Sequence, residues 1–250
     1  MKITFGGTGD VIVVTGGGNG IGRALAIAAC DAGARVVVCD VDQKAMTQLA
    51  LERPAIAARP LDVSDQNQVS GVFGEIEQEF GPIDGLVCGA AIQPRSSVTE
   101  MTTDEWERAI DVNLNGVVWC CRAALPSMVR RRKGSIVAFS SGLAHQGWAK
   151  ASAYAASKAA LIAFVKSAAK EVAGSRIRIN LIFPGVIDTP QYRAANAGGD
   201  DERWRATIGV GLPEDVIGPL LFLLSDAATM TASVLSRDFA YPRSDFEGAP

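Results

Sequence analysis

One histidine among 250 residues leaves no material for a histidine-based zinc centre. Cysteine is sparse as well: Cys30, Cys39, Cys88, Cys120 and Cys121 are odd in number and form no Cys-x-x-Cys pair. Most of them fall in apolar segments, which points to free core thiols in a reducing cytoplasm and to no metal site. No apolar run approaches the ~18–20 residues that a membrane-spanning helix needs. The first ten residues lack the apolar stretch of a secretory signal, so a cytoplasmic location is expected. Net charge is −3, and a nucleic-acid backbone finds no general attraction to such a surface. The basic run at residues 130–133 follows a helical pattern, where it suits the negative end of a helix dipole. Repeats, linkers and low-complexity tracts are missing too, so residues 1–250 are expected to form a single domain.

What remains is an ordinary globular composition, 48% apolar and 20% charged, in a chain long enough for a large core. Short β-branched runs at residues 11–15, 35–40, 55–61, 85–88, 135–139, 177–183 and 233–237 read as strands. Their near-continuous apolar character implies burial on both faces. Between them, residues 20–32, 43–52, 66–80, 103–132, 152–173 and 214–224 carry helical spacing. This alternation predicts an α/β fold: a Rossmann-like, doubly wound parallel sheet of about seven strands flanked by helices. Residues 191–211 are polar, Gly-rich and weakly periodic, and are read as a mobile lid or loop over a substrate site.

The first strand runs directly into a glycine turn and then a helical pattern. Thr15, Gly16, Gly20 and Gly22 fit Thr-Gly-x-x-x-Gly-x-Gly, with Asn19 and Ile21 inside the turn. Such a turn lets backbone amides at a helix N-terminus approach a pyrophosphate. Asp40 closes the second strand about twenty residues on, where a carboxylate accepts hydrogen bonds from an adenosine ribose and repels a 2′-phosphate. No Lys or Arg occupies residues 16–22 to neutralise that phosphate. NAD is therefore favoured over NADP. Asp62 and Val63 end the third strand, a place from which a carboxylate meets the adenine amino group.

Tyr154 and Lys158 stand four residues apart, with Ser141 thirteen positions upstream of the tyrosine. Helical spacing of four stacks phenol and ammonium on one face. A cation beside a phenol favours phenolate and lowers a pKa of ~10, making Tyr154 a candidate acid/base catalyst near neutral pH.

Taken together and in order, Thr15 to Gly22, Asp40, Asp62-Val63, Asp111-Val-Asn113, Ser140-Ser141, Tyr154-Ala-Ala-Ser-Lys158, Asn180 and Pro184 to Thr189 resemble the short-chain dehydrogenase/reductases, in their compact single-domain branch. The resemblance covers about residues 11–235. It implies that Tyr154 exchanges a proton with the substrate oxygen, that Ser141 holds that oxygen, and that Lys158 depresses the tyrosine pKa and binds the nicotinamide ribose. It implies that the backbone carbonyl of Asn113 anchors a water linking the lysine to solvent. Pro184, Gly185, Ile187 and Thr189 match positions that meet the nicotinamide amide, and Gly89 a backbone contact to the cofactor. Leu143, His145, Trp148, Tyr192, Trp204 and Gln93 are candidates for the substrate cleft, with loop packing as the alternative for the aromatics and a surface position for His145. A homo-oligomer, dimer or tetramer, follows from the same resemblance.

Two departures stand out. The family's Asn-Asn-Ala-Gly is Cys88-Gly-Ala-Ala91 here, and its Asp-Gly-Gly near the C-terminus is Asp238-Phe-Ala240. The expected activity is hydride transfer between NAD(H) and a secondary alcohol or ketone. Two alternatives stay open: a catalytically silent NAD-binding scaffold or sensor of the same fold, and a nucleotide-sugar epimerase. The epimerase reading is opposed by the short chain remaining after Gly185.

Overall fold

The computed structural model describes residues 9–196 and 209–237. Its seven strands form one parallel sheet: β1 (Val11–Thr15), β2 (Arg35–Asp40), β3 (Ala57–Pro60), β4 (Ile83–Cys88), β5 (Gly134–Phe139), β6 (Ile177–Phe183) and β7 (Val234–Ser236). They are ordered β3-β2-β1-β4-β5-β6-β7. The chain winds outward from β1 in one direction and resumes at β4 in the other. A crevice opens where that direction reverses, at the carboxyl ends of β1 and β4.

Burial follows the strand period of two. Val11 and Val13 join one core with Phe73, Ile76, Met128 and Leu161, while Ile12 and Val14 join a second core with Leu25, Leu49, Leu220 and Leu223. The first core lies under α3 (Gln66–Phe80), α5 (Gly116–Arg131) and α7 (Ser152–Val172). The second lies under α1 (Gly20–Asp31), α2 (Gln43–Glu52) and α9 (Ile217–Leu224). Both sheet faces are therefore dry, which is why the strand sequences read as continuous apolar runs. No helix among the described residues is long and apolar enough to cross a membrane.

The expected single helix over residues 103–132 is instead three pieces. α4 (Thr103–Ile110) starts from a capping box between Thr102 and Glu105, a π-helical turn follows at Asp111–Asn115, and α5 then runs to Arg131. No Gly or Pro lies within residues 111–115 to mark the widening, so local residue types do not reveal it. Likewise, the expected helix at 214–224 opens as a 3₁₀ turn at Pro213–Val216 before α9. The third and seventh strands are shorter than the apolar runs suggest because each has a sheet neighbour on one side only. Part of the expected loop at 191–211 is helical: α8 (Pro190–Ala195) begins with Thr189 Oγ1 accepting from the Tyr192 amide. Proline at the first helical position presets φ for that start. A short helix, α6 (Leu143–Gln146), completes the set. Trp204 and the Asp238-Phe-Ala240 departure fall outside the described residues.

Candidate active site

The glycine turn after β1 is shaped by contacts that a side chain would destroy. At Gly16, φ is +66°, and a Cβ would sit 2.6 Å from the Ala90 backbone nitrogen. At Gly22, a Cβ would sit 2.3 Å from the Gly16 carbonyl oxygen. The turn thus presses against the segment that leaves β4, where the Gly89 amide donates to Thr15 O at 3.0 Å. Cys88-Gly-Ala-Ala91 keeps this backbone approach without asparagine side chains, because it uses main-chain atoms. Thr15 is buried and its hydroxyl turns to Val87 O at 3.4 Å, away from the cleft.

Asp40 is held by its neighbours. Its Oδ2 accepts from the Gly18 amide at 2.9 Å and its Oδ1 from the Asp42 amide at 3.0 Å. Asn19 reaches the same corner by donating to Asp42 Oδ2 at 3.0 Å. At the end of β3, Asp62 Oδ1 accepts from the Ser64 amide and hydroxyl at 3.0 and 2.7 Å, and Oδ2 pairs with Arg108 at 2.8 Å. Burial pushes this carboxyl up, but Ser64 and the Arg108 guanidinium outweigh it and keep its pKa below the ordinary range. An adenine amino group meeting Asp62 would therefore share a carboxylate that is already engaged, a partnership across 46 positions that sequence spacing does not announce.

The catalytic candidates converge from three elements. Ser141 follows β5, Tyr154 and Lys158 stand on α7, and Asn113 sits in the π-helical turn. Lys158 is 2% exposed, and its Nζ donates to Phe139 O at 2.9 Å. Its own backbone carbonyl accepts from the Ser140 hydroxyl at 2.8 Å, so α7 is pinned to the end of β5 at this residue. Burial pulls the Lys158 pKa down from 10.5 to about 8, opposed by Cys88.

Tyr154 departs from the sequence expectation. Lys158 Nζ lies 5.8 Å from the centroid of its ring, at ring distance rather than on the hydroxyl. Burial raises the phenol pKa, and the groups that oppose it are the Ser141 hydroxyl and the Arg95 guanidinium. The ring is therefore held protonated by its dry surroundings. Ser141 Oγ accepts from the Leu143 amide at 3.2 Å, and its hydroxyl hydrogen-bonds the Tyr154 side chain, so the two polar groups share one part of the cleft.

Asn113 is fully buried and uses its side chain as a clamp. Nδ2 donates to Ile92 O at 2.9 Å and to Ser157 Oγ at 3.1 Å, while Oδ1 accepts from the Ile92 amide at 2.8 Å. It thereby joins the loop after β4 to α7. Cys88, Cys120 and Cys121 form a buried thiol cluster beneath the same loop. Cys120 foremost raises the Cys88 thiol pKa, and Cys88 that of Cys121.

A cleft of about 640 Å³ runs across these groups. Its walls include Gly16, Asn19, Gly20, Ile21, Gly22, Asp40, Asp62, Val63, Gly89, Ser141, Tyr154, Lys158, Pro184, Gly185, Ile187 and Thr189. Of the substrate candidates, Gln93, Leu143 and Tyr192 line it. His145 and Trp148 stand outside its walls, the His145 ring packing 5.4 Å from that of Phe183 on an exposed turn. Sequence reading missed Arg95, Arg108, Gln146 and Asn196, all of which line the cleft. No spacing rule signals them, because each enters from a loop or helix end whose path only the fold sets.

Comparison with known proteins accords with this geometry. The sequence profile of the family described as short chain dehydrogenase matches residues 10–199. A 3-oxoacyl-(acyl-carrier-protein) reductase of Thermotoga maritima is 34% identical over 237 residues, 92% of this chain and 96% of that protein. A cis-4-hydroxycyclohexanecarboxylate dehydrogenase of Sinomonas cyclohexanicum is 36% identical over 245 residues, with 92% and 96% covered. The crystal structure of a short-chain type dehydrogenase/reductase from Mycobacterium marinum superposes with a TM-score of 0.86 at 31% identity, covering 95% of this chain and 97% of that one.

Proposed function

This chain belongs to the short-chain dehydrogenase/reductase family, and on that footing we propose that it transfers a hydride between NAD(H) and a secondary alcohol or ketone, with Tyr154 as the acid/base. That the family's members are oxidoreductases using nicotinamide cofactors makes the reaction class secure; the dinucleotide, the residue roles and the substrate are the proposal. The observation that carries it is the convergence of Ser141, Tyr154 and Lys158 on one cleft beside a glycine turn with no room for side chains.

The residues present fit NAD. At Gly16 and Gly22 there is no room for a side chain, so the backbone of the turn and of the α1 N-terminus is open to close approach by a pyrophosphate. Asp40, oriented by two backbone amides, is suited to accept from ribose hydroxyls and to repel a 2′-phosphate. Ile187 and Thr189 would meet the nicotinamide end, and Lys158 its ribose. When bound, NAD supplies the hydride acceptor.

The chain's own groups then manage the proton. Ser141 donates to the substrate oxygen and orients it toward Tyr154. Tyr154 takes the proton from the alcohol, or returns it to the ketone, across one short hydrogen bond. Lys158, which burial holds to a pKa of about 8, is mostly charged at pH 7, and its ammonium beside the ring would favour the phenolate. Asn113 keeps α7 and the loop after β4 in register.

Removing one oxygen tests this. Tyr154→Phe is expected to lower kcat at least 10³-fold in an NADH fluorescence assay while leaving NADH binding by calorimetry within threefold. Near-normal turnover by that variant would end the proposal.

A further inference from the structure

Arg108 takes no part in the proton transfer above, yet it lines the same cleft as Asp62, from the last turn of α4. Three residues there close a ring of hydrogen bonds. Arg108 Nη2 donates to Asp62 Oδ2 at 2.8 Å, Arg108 Nη1 donates to Ser64 Oγ at 2.5 Å, and that hydroxyl donates to Asp62 Oδ1 at 2.7 Å. The Ser64 amide adds a second bond to Oδ1 at 3.0 Å.

Both carboxylate oxygens are thus held, so the group cannot turn about its Cβ–Cγ bond without breaking the ring. A carboxylate has about four acceptor positions. Two are used on Oδ1 and one on Oδ2, which leaves a single position, on Oδ2, in a fixed orientation. Burial opposes the charge of Asp62, but the Ser64 and Arg108 bonds outweigh it and keep the group an acceptor.

Stability does not account for the ring. The Arg108 and Asp62 side chains are 48% and 30% exposed, and ion pairs open to water add little to folding. The walls beside it suit a ligand instead. Leu61 and Val63 flank Asp62 in the chain, Val112 follows Arg108 by four positions, and all three line the cleft with the exposed Val41. Aliphatic walls with one polar cluster fit a flat heterocycle that carries a hydrogen-bonding edge.

Resting on the NAD reading, we propose that Arg108 is a positioning residue for the cofactor. With Ser64 it fixes Asp62 so that the open Oδ2 position accepts from the amino group of a 6-aminopurine, and the protein thereby selects adenine dinucleotides over those with a 6-oxopurine. A 6-oxo group in that place sets acceptor against acceptor and leaves the carboxylate without its donor.

The probes are NADH and its 6-oxopurine analogue, reduced nicotinamide hypoxanthine dinucleotide, added to the cofactor-free protein and read by nicotinamide fluorescence and calorimetry. The wild type is expected to bind NADH about tenfold or more tighter than the analogue, the factor a hydrogen bond to a charged group carries. Arg108→Ala is expected to cut that preference to about twofold or less by weakening NADH alone, because a carboxylate free to turn no longer presents one oriented acceptor. Ser64→Ala should fall between the two, and Arg108→Lys should restore part of the preference. Thermal unfolding of cofactor-free Arg108→Ala is expected within about 2 °C of the wild type, as for an exposed ion pair.

A wild-type preference near one overturns base selection at Asp62. A loss shared equally by both nucleotides in Arg108→Ala overturns the positioning role, as does a preference that Arg108→Ala leaves intact while Asp62→Asn removes it. Each of these results leaves the dehydrogenase reading standing. If Arg108→Ala unfolds, Ser64→Ala carries the comparison, and an unaltered preference there overturns the ring. Failure of both nucleotides to bind the wild type overturns the NAD reading and the base selection together.

Discussion

Lys158 shows how much a charged side chain in the cleft owes to its surroundings. A lysine at 2% exposure, its charge opposed by burial, is held at a pKa of about 8 instead of 10.5. That depression corresponds to roughly 3 kcal/mol of folding free energy withheld whenever the group is charged. That cost is complete below pH 8, shrinks as pH rises toward 10.5, and is gone above that. Lys158→Met, which removes the charge and keeps the stem, is therefore expected to stabilise the cofactor-free chain by about 1–3 kcal/mol at pH 7. The gain should shrink markedly at pH 10, where the unfolded lysine begins to lose its proton. Urea unfolding at the two pH values checks both the sign and the trend; an equal gain at both would mean that packing, not charge, is responsible.

The π-helical turn between α4 and α5 joins elements that neither helix alone would reach. Asn113 leaves it to satisfy both the N–H and the C=O of Ile92 in the loop after β4, and also contacts Ser157 on α7. Replacing it with alanine strands two part-buried backbone groups. At about 1–3 kcal/mol for each unsatisfied group, Asn113→Ala is expected to lose roughly 2–6 kcal/mol in urea unfolding. Because the same loop carries Arg95 and presses on Gly16, a shift on the order of 1 Å should also lower kcat/KM about 100-fold. A stability loss with unchanged kcat/KM would show that the clamp matters to folding alone.

A dinucleotide spanning the cleft would touch the carboxyl ends of β1, β2, β4 and β6 together, so its binding should be felt by the entire fold. Saturation at one hundred times Kd adds about 2.7 kcal/mol to stability. In a chain of this size that is expected to raise Tm by about 5–10 °C. The same concentration of NADPH should give less than a third of the NADH shift, since its 2′-phosphate would face the Asp40 carboxylate. Thermal scans with each nucleotide decide the matter: equal shifts would remove Asp40 as the discriminating group.

Strand-and-helix alternation, the glycine turn and the four-residue step from Tyr154 to Lys158 are local patterns, and they were legible from the order of residues alone. They depend on periods of two and 3.6 and on conformations open to glycine, which neighbours along the chain dictate. Folding decided the rest. That burial holds the Tyr154 phenol protonated, that Ser141 and Arg95 rather than Lys158 oppose it, that Arg108 engages Asp62 and that Asn113 clamps Ile92 are outcomes of contacts between distant positions. Their strength depends on how dry the site is, since charges act more strongly on one another once water is excluded. No stretch of sequence carries that quantity; it comes into being when the two cores close on the sheet.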